Sequence, residues 1–231
     1  MIHVFLFGIY PYVAISVFLL GSLIRFDRDQ YTWKSDSSQL LRHGQLRLGS
    51  NCFHVGVLLL FLGHAVGLLT PPAIYHALGL TTESKQWLAM IAGGVFGTLC
   101  LFGLILLTHR RLTEARIRAT STWMDLFLLF WLLVTLGLGL ATIFASFSHP
   151  DGSVMLALAA WAQHVVTFRG GASELIEAVP LVYRVHLFFG MTLFLLFPFS
   201  RLVHVWSGFG TIAYLFRPNQ LVRSRGHRNG I

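Results

Sequence analysis

Charge is scarce in this chain: of 231 residues only 11% are Asp, Glu, Lys or Arg, against 55% that are hydrophobic. A composition that poor in charge excludes a soluble globular domain. Cysteine is scarcer still. The two present, Cys52 and Cys100, both fall in apolar runs, so no disulfide framework is implied and no cysteine set exists that could hold an iron–sulfur cluster. Carboxylates are missing from the middles of the apolar runs, with Asp125 at the end of one, which argues against a transporter that relays protons through buried acids. There is no internal repeat and no low-complexity tract. The first apolar run also lacks a basic leader and a small-residue cleavage site, and reads as a retained helix rather than a signal peptide.

What the chain has is length in its apolar windows. They run from about 4 to 24, 51 to 70, 87 to 108, 124 to 147 and 181 to 200, the last continuing as helix to about 206. Each is long enough for one crossing of a bilayer at about 20 residues per span. The expected fold is therefore an all-α integral membrane protein, a single domain of five transmembrane helices followed by a basic tail, 207–231. The stretch 153 to 168, SVMLALAAWAQHVVTF, is interrupted by Gln163 and His164. It is short for a crossing and reads as a packed or interfacial helix, with His164 structural.

The net charge of +8 is distributed by connection rather than gathered in a patch, which speaks against a nucleic-acid surface. Arg25, Arg28, Lys34, Arg42 and Arg47 follow the first span, Lys85 alone the second, and Arg110, Arg111, Arg116 and Arg118 the third. Arg169 alone lies in the next connection, and Arg217, Arg223, Arg225 and Arg228 in the tail. This alternation predicts an outer N-terminus and a cytoplasmic C-terminus.

Four of the eleven histidines fall inside apolar runs: His54 and His64 on the second span, His186 and His204 on the fifth. An imidazole at that depth is costly and points to function, although any one of them could serve as an interhelical hydrogen bond. The second and fifth spans run in opposite directions, so His54 lies level with His204 on the inner side and His64 with His186 on the outer side. Each level offers two imidazoles from facing helices, the ligand set for an iron macrocycle clamped between them, and two levels imply two haems. The spacing is uneven. His54 and His64 are about 15 Å apart by helix rise and His186 and His204 about 27 Å, a mismatch that a kink at Pro198 would help absorb. No CxxCH is present, so the haems would be b-type. Gly56, Gly63, Gly67 and Gly190 lie beside the histidines and would admit a flat ring, or equally a close helix contact. Arg110, Arg111 and Arg201 stand where haem propionates would need cations, although positive-inside bias accounts for them as well.

With these residues in view, the chain resembles the gamma subunits of respiratory nitrate reductases, the dihaem cytochromes b that anchor those complexes. The resemblance runs through IYPYVAISVFLLGSLIRFDRDQYTWKSDSSQLL, SNCFHVGVLLLFLGHAVG, KQWLAMIAGG, RRLTEARIRAT, WAQHVVTFRGGAS and HLFFGMTLFLLFPFSRLVHVWS, nearly the whole chain. It implies a location in the bacterial cytoplasmic membrane and oxidation of membrane quinol near the outer haem. It further implies electron transfer to an iron–sulfur beta subunit and then to a molybdenum alpha subunit that reduces nitrate, which this chain alone would not do. By position it assigns His64 and His186 to the outer haem iron, and His54 and His204 to the inner one. Lys85, the sole cation of its connection, matches the lysine that the family places at the quinol site; its plain alternative is a side chain snorkelling to the interface. Related dihaem cytochromes of sulfur and heterodisulfide metabolism share this core and remain the alternative reading.

Overall fold

The computed structural model describes residues 1–29 and 43–207. Lys34, Arg42 and, apart from Ser207, the expected basic tail lie outside the described residues. Those described form α1 (Ile2–Asp29, with a π-helical turn at Phe5–Ile9), α2 (His43–Leu69), α3 (Pro72–Ala77) and α4 (Thr82–Thr113). They continue with α5 (Ala115–Ala119), α6 (Trp123–Ser146), α7 (Ser153–Val166) and α8 (Leu181–Leu196). No strand occurs among them. Five helices, at Ile2–Asp29, Gly44–Leu69, Thr82–Thr113, Trp123–Ser146 and Leu181–Phe199, are long and apolar enough to cross a membrane. Their flanks expose Leu58, Phe61, Leu62, Ile91, Val95 and Phe102, side chains that belong against hydrocarbon rather than water.

The helix starts follow local chemistry. Thr81 caps α4 by accepting from the Ser84 amide at 3.1 Å, and α6 opens with a full capping box. There the Thr122 hydroxyl accepts from the Asp125 amide, and the Asp125 carboxylate accepts from the Thr122 amide, so two donors that would otherwise be orphaned are satisfied.

The spans pack in the order α1, α8, α6, α4, α2, each against the next. Contact between α2 and α4 is the closest, and glycine is the reason. A Cβ on Gly56 would lie 2.7 Å from the Cys100 backbone nitrogen, and one on Gly103 would run into the backbone of Phe53. Small residues let two backbones approach where lipid gives no hydrophobic drive for association. Helix α2, with His54 and His64, and helix α8, with His186 and with His204 beyond its end, are not among the closely packed pairs. They face one another through side chains.

Two further features bear on the site. Helix α7, with 14 residues, rises about 21 Å and falls short of a hydrocarbon core of about 30 Å. It lies instead across the ends of α1 and α2. Trp161 donates to the Phe7 carbonyl at 2.9 Å, Gln163 donates to the Leu68 carbonyl at 3.1 Å, and Trp161, Ala162 and Val165 are buried with Phe7, Ile176 and Tyr183. His164 meets the Gly170 carbonyl at 3.2 Å.

The second feature is a break in the fifth span. Helix α8 stops at Leu196, a 3-10 turn covers Phe197–Phe199, Ser200 is extended, and a second 3-10 turn covers Arg201–Val203 before residues 204–207 return to helix. Pro198 has no amide hydrogen to continue the ladder. The interval from His186 to His204 is therefore not the unbroken helix that a count of turns assumes.

Candidate functional site: two pairs of histidines

The two histidines on α2 use the same device. His64 Nδ1 donates to the Leu60 carbonyl at 2.7 Å, one turn back on its own helix. His54 Nδ1 donates to the Ser50 carbonyl at 2.7 Å, with the Ser50 hydroxyl at 3.2 Å. On the other side, His186 Nδ1 donates across to the Thr135 carbonyl of α6 at 3.1 Å, and His204 Nδ1 donates to the Arg201 carbonyl at 2.6 Å. A backbone carbonyl only accepts, so each Nδ1 carries the proton. The lone pair of each neutral ring is then on Nε2. This is how a protein orients an imidazole as a metal ligand.

The rings meet in pairs. His54 and His204 have ring centres 6.1 Å apart with planes at 80°, and His64 and His186 have ring centres 6.1 Å apart with planes at 45°. Two metal–nitrogen bonds of about 2 Å in line, plus roughly 1 Å from each nitrogen to its ring centre, span about 6 Å. The spacing thus fits one iron between each pair. No group of three or more His, Cys, Asp or Glu side chains able to hold a metal ion occurs among the described residues. Two imidazoles are a poor cage for a bare ion but complete the ligands of an iron already held by a macrocycle.

The surroundings divide the glycines by role. Nothing stands within 4 Å of a Cβ built on Gly63, Gly67 or Gly190, so these positions keep open space beside the histidine helices. Gly56 is different, being filled by Cys100 of α4, and helix packing accounts for it. Gly139 on α6, which sequence reasoning missed, faces His186: a Cβ there would lie 3.0 Å from the imidazole Cε1. Thr135, four residues earlier on α6, supplies the carbonyl for the same ring. The face of α6 is held by Trp131, which donates to the Phe189 carbonyl at 3.1 Å and stacks on the Phe189 ring at 4.3 Å.

Lys85 lies in the first turn of α4 and is only 8% exposed. Its ammonium stands 4.2 Å over the ring of the buried Tyr75 on α3, a cation–π contact that steadies a charge in a desolvated place. The neighbouring Gln86 donates to the carbonyls of Ser146 and His149 at 3.2 and 2.9 Å and so fastens this end of α4 to the end of α6.

At the opposite end of α4, Arg111 and Arg201 share one carboxylate. Arg111 reaches Asp125 Oδ2 at 3.2 Å, and Arg201 reaches Asp125 Oδ1 at 2.6 Å. Both guanidiniums are thus engaged within the chain. Arg110 is buried.

The chain also matches known proteins along most of its length. The family model described as nitrate reductase gamma subunit matches residues 3–225. The chain is 52% identical to the respiratory nitrate reductase 1 gamma chain of Escherichia coli (strain K12) over 97% of its own length and 98% of that protein's. It is 37% identical to the nitrate reductase gamma chain of Bacillus subtilis (strain 168) over 95% and 97% of the two lengths. With five helices fit to cross a membrane and a family match over nearly its whole length, the chain belongs to the nitrate reductase gamma subunits.

Proposed function

We propose that this chain is the cytochrome b subunit of a respiratory nitrate reductase in the bacterial cytoplasmic membrane. It binds two b-type haems, oxidises quinol at the outer level, and serves an iron–sulfur subunit and a molybdenum subunit on the cytoplasmic side. The observation that supports this best is the state of the four histidines: each Nδ1 is spent on a carbonyl, and the rings stand in two facing pairs 6.1 Å apart. His64 and His186 would hold the outer haem, and His54 and His204 the inner one. When bound, the two haems supply one-electron centres at two depths, which connects two-electron quinol chemistry outside to an acceptor inside.

The chain's own residues do the rest. Oxidation of a quinol to a quinone releases two electrons and two protons, and a site at the outer end lets the protons leave to the outside. Lys85 supplies ammonium donors for a quinol or quinone oxygen, and Tyr75 holds that ammonium in place. Gly63, Gly67 and Gly190 leave room for flat rings. The kinship favours nitrate reductase subunits as partners over those of the related sulfur and heterodisulfide complexes.

A reduced-minus-oxidised absorbance spectrum with haem quantitation tests the reading. Two b-type haems per chain are expected, and a purified, folded chain with none sinks it. Orientation is tested separately. A reporter fused after Ile231 is expected to be cytoplasmic, and one inserted near Glu83, outside. The reverse result would place Lys85 on the cytoplasmic side and invert the direction of proton release.

A further inference from the structure

The break in the fifth span leaves His204 on a short turn of its own, beyond the end of α8. Something other than a continuous helix must hold that ring. Arg25 of α1 donates to the carbonyls of Pro198 and Ser200 at 2.8 and 3.0 Å and braces the start of the turn. The rest depends on Arg201, whose carbonyl receives His204 Nδ1 at 2.6 Å and whose side chain goes to Asp125, with Nε donating at 2.7 Å. Asp125 is itself fixed from two other directions, by the Thr122 amide at the start of α6 at 3.0 Å and by Arg111 of α4 at 3.2 Å. One carboxylate, with its side chain only 10% exposed, therefore ties α4, α6 and the His204 turn together.

From this geometry we propose that Asp125 is a positioning residue for the inner histidine pair; the inference rests on the haem reading above. It acts in two ways. Mechanically, moving Arg201 moves the carbonyl that sets the plane of the His204 ring, and that plane stands at 80° to His54. Electrostatically, Asp125 is the carboxylate shared by two guanidiniums at the inner level. Removing its charge leaves the inner level more positive by one unit, and in a region of low dielectric this favours gain of an electron there. A carboxylate that served only to fold the bundle would not act on one centre and spare the other.

Asp125→Asn and Asp125→Glu in the full chain, within its membrane complex, test this by redox titration, haem quantitation and low-temperature electron paramagnetic resonance of the oxidised protein. Asp125→Asn is expected to leave the midpoint and resonance of the outer centre as in the native protein. The inner midpoint should shift to higher potential with an altered inner resonance, or the inner haem alone should be lost; Asp125→Glu should return both properties toward native. Native midpoints and resonances at both centres in Asp125→Asn, or equal loss of both haems, would overturn the proposal. A native chain that binds no haem would overturn the haem reading and this inference with it, an outcome distinct from the other two.

Discussion

Replacing His54 or His204 by Ala is expected to remove the inner haem and leave the outer one, while His64→Ala or His186→Ala removes the outer and leaves the inner, each variant keeping about one of two haems. The expectation follows from the ring pairs, His54 with His204 and His64 with His186. A single imidazole cannot hold the iron on both sides, and the remaining ring of the pair keeps its Nδ1 contact but loses its facing ligand. Haem quantitation and redox titration of the four variants provide the measurement. If His54→Ala and His64→Ala removed the same haem, the pairing across the bundle would be wrong.

The second large effect is expected at Lys85. Lys85→Ala should retain both haems by absorbance and still be reduced by dithionite, yet lose quinol-driven reduction. A hydrogen bond to a charged group is worth about 1.5–3 kcal/mol, so a fall of about 10- to 100-fold in kcat/KM for quinol is expected. Truncation also strands the Tyr75 ring, which the ammonium now covers at 4.2 Å. Unchanged quinol kinetics in a fully haem-loaded Lys85→Ala protein would remove this lysine from the quinol site and leave it as a cation held by Tyr75.

The sequence made some of this visible and hid the rest for identifiable reasons. The five spans were legible because hydrocarbon demands about 20 apolar residues per crossing, and little else has that signature. Helix α7 was legible by its shortness. Counting antiparallel spans also brings His54 level with His204 and His64 level with His186, since depth follows from position along a helix. Details that depend on azimuth around a helix were not legible. Gly56 and Gly63 read alike in sequence, yet Gly56 turns toward Cys100 while Gly63 faces open space. Gly139 gave no signal, because its partner His186 lies on another helix. The break after Leu196 was anticipated as a kink at Pro198 but not as two 3-10 turns joined by an extended serine. Nor could arginines at helix ends reveal that Arg111 and Arg201 converge on Asp125, since positive-inside bias places arginines there for other reasons.

The order in which the spans pack, α1, α8, α6, α4, α2, has a consequence for biogenesis. In each histidine pair one ring comes from the second span and the other from the last, so neither pair exists until the fifth span has left the ribosome and taken its place beside α1 and α6. Long-range contacts of this kind form late, because the intervening chain must be ordered first. A nascent chain truncated after Ser146 would carry His54 and His64 with no facing ring. With haem bound at both pairs as proposed, neither site could be loaded before the fifth span has joined the second.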